Sequence, residues 1–100
     1  MVHCDRGYGL LAAVLYLCDG VGGTAFWTHA TTGRRAYTGS PDDPCLKDIS
    51  DDGAWHLRRV VDLKFNRLVV YPTAMWHSRF PRPAWGNCPH SGRLIAIGFY

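Results

Sequence analysis

No Cys-x-x-Cys pair, no secretory leader at Met1 and no long apolar run occur in this 100-residue chain. Each absence excludes something. The cysteines are Cys4, Cys18, Cys45 and Cys88. Their spacing makes no redox motif, and an even count alone makes no disulfide framework, so they read as reduced thiols in a cytoplasmic protein. The longest apolar run, Leu10 to Cys18, falls well short of the roughly 20 residues that a membrane-spanning helix needs. No targeting segment is seen, so no membrane is expected. Charge is sparse, at 19% of residues with a net +3. The basic clusters, Arg34-Arg35, Arg58-Arg59 and the Arg79/Arg82 pair, are too short and scattered for a nucleic-acid surface. They leave open an anionic substrate or co-substrate. The length allows one small domain with a thin core.

What is present favours strands and turns. Eleven Gly and six Pro argue against long helices. Leu10 to Cys18 is apolar on both faces and has the length of a buried strand, although its Leu and Ala also tolerate helix. Gly20, Gly22 and Gly23 form a turn before Thr24 to His29, which is β-branched and aromatic. The two segments read as a hairpin. Residues 30–55 have little periodicity and read as a long loop, with a short helix around Cys45 to Ser50. Arg59 to Phe65 and Arg67 to Tyr71 are strands around Asn66, a residue that tolerates the left-handed turn conformation. Met75 to Phe80 and Arg93 to Tyr100 complete the set, separated by the Pro- and Gly-rich residues 81–92. The fold class is mainly β, with sandwich, barrel or jelly roll as the architectures.

The chemistry-bearing residues are His3, Asp5 and His77, followed by Arg93. His-x-Asp alone is weak, because five histidines give roughly 0.4 chance matches in such a composition. In an extended segment, however, His3 and Asp5 face the same way and can share one metal, with Cys4 on the opposite face. Two imidazoles and one carboxylate on one face of an ion leave its remaining positions open for reactants. Trp27, Trp76, Trp85 and Arg79 are candidates to line such a pocket.

The order VHCD, then MWHSRF, then RLIAIGFY resembles the iron(II)/2-oxoglutarate-dependent dioxygenases. In that family His-x-Asp/Glu follows the second strand of a double-stranded β-helix, a distal His lies on the seventh, and an Arg or Lys opens the eighth. Residues 12–27 (AAVLYLCDGVGGTAFW) and 64–80 (KFNRLVVYPTAMWHSRF) resemble a little-characterised bacterial branch. The resemblance implies iron(II) held by His3, Asp5 and His77, and 2-oxoglutarate held at its C5 carboxylate by Arg93, with a hydroxyl added by Tyr16. It also implies molecular oxygen and a small-molecule or side-chain substrate as reactants. The sixteen-residue step from His77 to Arg93 is longer than is usual there, so residues 81–92 read as an inserted loop.

The resemblance places the metal motif after strands that do not precede it here. The double-stranded β-helix is therefore expected to be incomplete at its N-terminus, with exposed strand edges and a need for a missing segment or a partner chain. Two other readings compete. One is a catalytically inert jelly-roll interaction module. The other is a zinc site using Cys88 and His90, although Cys-x-His is not a usual zinc pair. A cupin-like site would favour His-x-His, which the chain lacks.

Overall fold

The structure is a computed structural model and describes residues 2–7, 9–80 and 95–100. Six strands are present among them: β1 (Leu11–Tyr16), β2 (Gly23–His29), β3 (Trp55–Asp62), β4 (Leu68–Pro72), β5 (His77–Phe80) and β6 (Ile95–Phe99). They form two antiparallel three-stranded sheets, in the orders β4-β1-β6 and β3-β2-β5. The mainly β class expected from the sequence is what the chain adopts. No helix among the described residues is long and apolar enough to cross a membrane.

Alternation explains the first sheet. In β1, Ala12, Val14 and Tyr16 are buried while their neighbours are not. On β4 the buried pair is Val69 and Tyr71, set directly across from Val14 and Ala12. Directly paired residues share a face, so these five build one wall of a core that Phe26 and Leu63 complete. Tyr16 ties the sheets together. Its hydroxyl lies 2.6 Å from Thr24 Oγ1 on β2 and donates to the Val61 carbonyl on β3 at 3.3 Å.

The hairpin reading is overturned. β1 and β2 lie in different sheets, as do β3 and β4 on either side of Asn66. The reason is visible in β1, whose two edges are taken by β4 and β6, which leaves no edge for β2. The turns at Gly20–Gly23 and Asn66 therefore carry the chain between sheets. Asn66 does adopt the left-handed conformation, with φ of 67°. Gly23 has φ of 155°, and a side chain there would overlap the Val61 carbonyl.

Residues 30–54, read from the sequence as a long loop with a short helix, pack against a sheet. They cover the far face of β3-β2-β5. There Val2, Ala25, Trp27, Cys45, Trp55 and Trp76 form a second buried cluster. The short helix is a 3₁₀ turn at Pro44–Asp48, capped by Asp43 with Pro44 first inside it. Side chains fasten the cover. His29 Nε2 meets Asp48 Oδ2 at 2.7 Å, and Trp55 Nε1 donates to the Asp48 carbonyl at 2.8 Å. Among the described residues no disulfide joins Cys4, Cys18 and Cys45.

Asp43 is the main cap of this cover. Burial alone raises its carboxyl, but hydrogen bonds from the Thr38 and Cys45 backbone N–H groups and the Thr38 hydroxyl outweigh that and hold it well below the usual carboxylate range. Below about pH 4 the unfolded chain therefore binds more protons than the folded one. The stabilisation is complete above that pH and fades as pH falls through the folded value. Asp43→Ala is expected to lower stability by about 2 kcal/mol at neutral pH, from a lost cap and orphaned donors. In urea denaturation the gap between variant and wild type should narrow as pH is lowered from about 5 toward 2.

Candidate metal centre

The N-terminal segment lies along the free edge of β5. His3 and His77 exchange backbone hydrogen bonds of 2.9 Å in each direction. Asp5 N–H then donates to the Thr73 carbonyl at 2.8 Å. This pairing holds residues 3–5 extended, so His3 and Asp5 fall on one side. Val2 and Cys4 turn to the other, where they pack with Trp27 and Trp76.

His77 and Phe26 are direct partners across β5 and β2. The His77 ring lies 4.3 Å from that of His3 and 4.9 Å from that of Tyr71, centroid to centroid. His77 Nε2 is 3.0 Å from Asp5 Oδ2, and His3 Nε2 is 3.7 Å from Asp5 Oδ1. One ligand atom from each of the three lies within 4.8 Å of the others. The expected ligands are therefore brought together.

The donor set fits a cation. His77 Nδ1 is 2.8 Å from the Met75 carbonyl, which can only accept, so Nδ1 carries the hydrogen and Nε2 presents a lone pair. Such a carbonyl contact is the usual way that a metal-ligating imidazole is oriented. Burial pushes the His77 ring toward its neutral form, and His3 adds to that, against the pull of the Met75 carbonyl and Asp5. A neutral Nε2 and a carboxylate oxygen 3.0 Å apart are two acceptors facing each other. Adjacent ligands on an ion with bonds of about 2.1 Å sit about 3 Å apart. A cation between them would turn a repulsive contact into two bonds.

Tyr71 is the site residue that the sequence reading missed. It lies against His77, and its hydroxyl is pushed up to about 12 by burial first, then by Asp5 and Tyr16. The signal was its place at the core-facing end of RLVVY, two residues after Val69. Tyr16 is engaged differently from the role that the resemblance gives it, because its hydroxyl bonds Thr24 and the Val61 carbonyl between the sheets. Trp27 and Trp76 are corrected as pocket-lining candidates. They lie in the second cluster, across β2 and β5 from His77, and Trp27 Nε1 donates to Ser78 Oγ at 2.8 Å. Arg79 is exposed on β5. Arg93, Trp85, Cys88 and His90 lie outside the described residues.

Fold and cluster together define a mainly β protein of two facing antiparallel sheets, with a two-histidine, one-carboxylate cluster at the edge of one of them. The chain belongs to a family described as "Family of unknown function (DUF6445)", whose model matches residues 1–100. No curated protein and no solved structure matches it.

Proposed function

We propose that the chain is a non-haem iron(II)- and 2-oxoglutarate-dependent oxygenase of the double-stranded β-helix type, acting on a small molecule or side chain. The observation that carries this reading is the convergence of His3, Asp5 and His77, with the His77 tautomer set by the Met75 carbonyl. The strand orders support it. If His77 lies on the seventh strand, β1 to β6 are the third to eighth, and the His3 pairing with β5 is the last rung of the second.

In this reading His3, Asp5 and His77 hold the iron, and Arg93 pairs with the C5 carboxylate of 2-oxoglutarate. Iron with 2-oxoglutarate supplies a two-electron oxidation by dioxygen, in which the co-substrate becomes succinate and carbon dioxide and the substrate gains one oxygen atom. The chain's own work is to bind and orient. The buried His77 and Tyr71 rings form a dry wall on one side of the trio. His3, with its side chain 48% exposed, marks the open side where reactants enter.

The test is an anaerobic iron(II) titration of the purified chain, followed by succinate measurement on adding oxygen and 2-oxoglutarate. One iron per chain and 2-oxoglutarate-dependent succinate are expected. A folded chain that binds no iron would leave the inert jelly-roll module in its place.

A further inference from the structure

Arg58 is placed where a guanidinium needs a partner. The β2–β3 ladder slips between Phe26 and Trp27, so Phe26 faces Arg59 while Trp27 faces Leu57. Arg58 is the extra residue of this β-bulge. A bulge sets two residues opposite one and redirects their side chains. The Arg58 guanidinium carbon lies over the Phe26 ring, 5.9 Å from its centroid. Its Nε and Nη2 are both buried and make no hydrogen bond.

Among the described residues no acidic group acts on this guanidinium. Burial weakens its hold on its proton, and the neighbouring charges that act on it, Arg35 and Arg59, push the same way. Residues 81–94 contain no Asp or Glu. Arg58 is half-buried, and two donors shut off from water and left unpaired are costly. Two such donors on one guanidinium suit a ligand that completes them.

The two orphaned groups also state the ligand's shape. Nε–H and Nη2–H lie along one edge of the planar guanidinium, the edge that meets both oxygens of a carboxylate. The guanidinium lies on the face that carries the metal cluster, over the ring of Phe26. Phe26 is the direct partner of His77 across β2 and β5, so the two share a face. Phe26 and Tyr71 bridge the gap, with ring centroids 5.2 Å apart, and Tyr71 meets His77.

We propose that Arg58 binds the carboxylate of an organic acid through Nε and Nη2, and that this acid is the substrate. Its role as substrate rests on the oxygenase reading; the binding site itself does not.

The test separates the two. Glutarate is titrated into the chain in excess EDTA, following the arginine Nε–H signals by ¹H–¹⁵N NMR. Glutarate should shift the Arg58 signal and raise the melting temperature. Arg58→Met should weaken glutarate binding about tenfold or more. Arg58→Lys, which keeps the charge and loses the fork, should recover only part of it. Without ligand, Arg58→Met should melt no lower than wild type, because it removes an unpaired charge and keeps an apolar stem. No Arg58 shift, an equal response to sulfate at matched ionic strength, or a marked loss of stability in Arg58→Met would overturn the site. With iron restored and 2-oxoglutarate saturating, a retained glutarate response supports the substrate role. Its loss would give the carboxylate pocket to the co-substrate and overturn that role. Since iron is absent from the first arm, failure of the metal reading leaves the Arg58 result standing.

Discussion

His77→Ala should abolish iron(II) binding and, with it, succinate release. Loss of an outer partner of a metal ligand already costs 10–100-fold in typical metal sites, so loss of the ligand itself should exceed about 100-fold. The ring is nearly inaccessible, its Nδ1–H is fixed on the Met75 carbonyl, and its Nε2 points at Asp5. Among the described residues no other imidazole touches the trio. Asp5→Asn should give the same loss of iron with the opposite effect on the metal-free fold. The amide can donate to His77 Nε2 where the carboxylate can only oppose it. The metal-free variant should therefore be more stable than wild type by about 1 kcal/mol. Iron titration and thermal melting of the two variants check both signs. A structural ion pair between Asp5 and a protonated His77 would make Asp5→Asn destabilising instead. A gain in stability tied to a loss of binding is what a site strained for function produces.

The second large effect is on folding. Trp76 is 1% exposed and packs against Trp55 at 5.4 Å and Tyr37 at 5.8 Å between ring centroids. It joins the cover of residues 30–54 to the sheet that carries His77. Trp76→Ala should cost about 3–5 kcal/mol, the usual range for emptying an aromatic site in a core. In a domain of this size that approaches the whole stability, so the variant is expected to be largely unfolded by circular dichroism at 37 °C. Trp76→Phe should cost much less than its lost volume suggests. The indole Nε1 is buried with no hydrogen-bond partner, and phenylalanine removes that unsatisfied donor. Urea denaturation of the two variants separates lost packing from the relieved polar group.

Much of this fold could be read from residue order. The apolar run LLAAVLYLC, with the length of a buried strand, located β1, RLVVY located β4, and Asn66 marked its turn. The His-x-Asp spacing put two candidate ligands on one side of an extended segment, and the third, His77, came from the order of segments that resembles the dioxygenases. Strand partners were harder to read. Two apolar segments joined by a Gly-rich turn look alike whether they pair with each other or cross to facing sheets. Only the two ladders of β1, to β4 and to β6, distinguish these cases. The cover of residues 30–54 was illegible for another reason. Asp43, Asp48 and His29 hold it by caps and side-chain hydrogen bonds, which have no period. Arg58 was seen only as half of a basic pair, because a bulge is a mismatch between two strands and neither strand shows it alone.

The sheet orders also determine how the chain must reach its native state. No strand pairs with its immediate successor except β2 with β3, and 25 residues separate even those two. β1 remains unpaired until β4 and β6 have arrived from far along the chain. Closing loops of this length before any ladder forms makes folding slow relative to hairpin-built sheets of similar size. During synthesis the apolar β1 emerges before both of its partners and waits for them. Its aggregation risk is therefore highest while the polypeptide is still growing, and falls once β6 is able to dock.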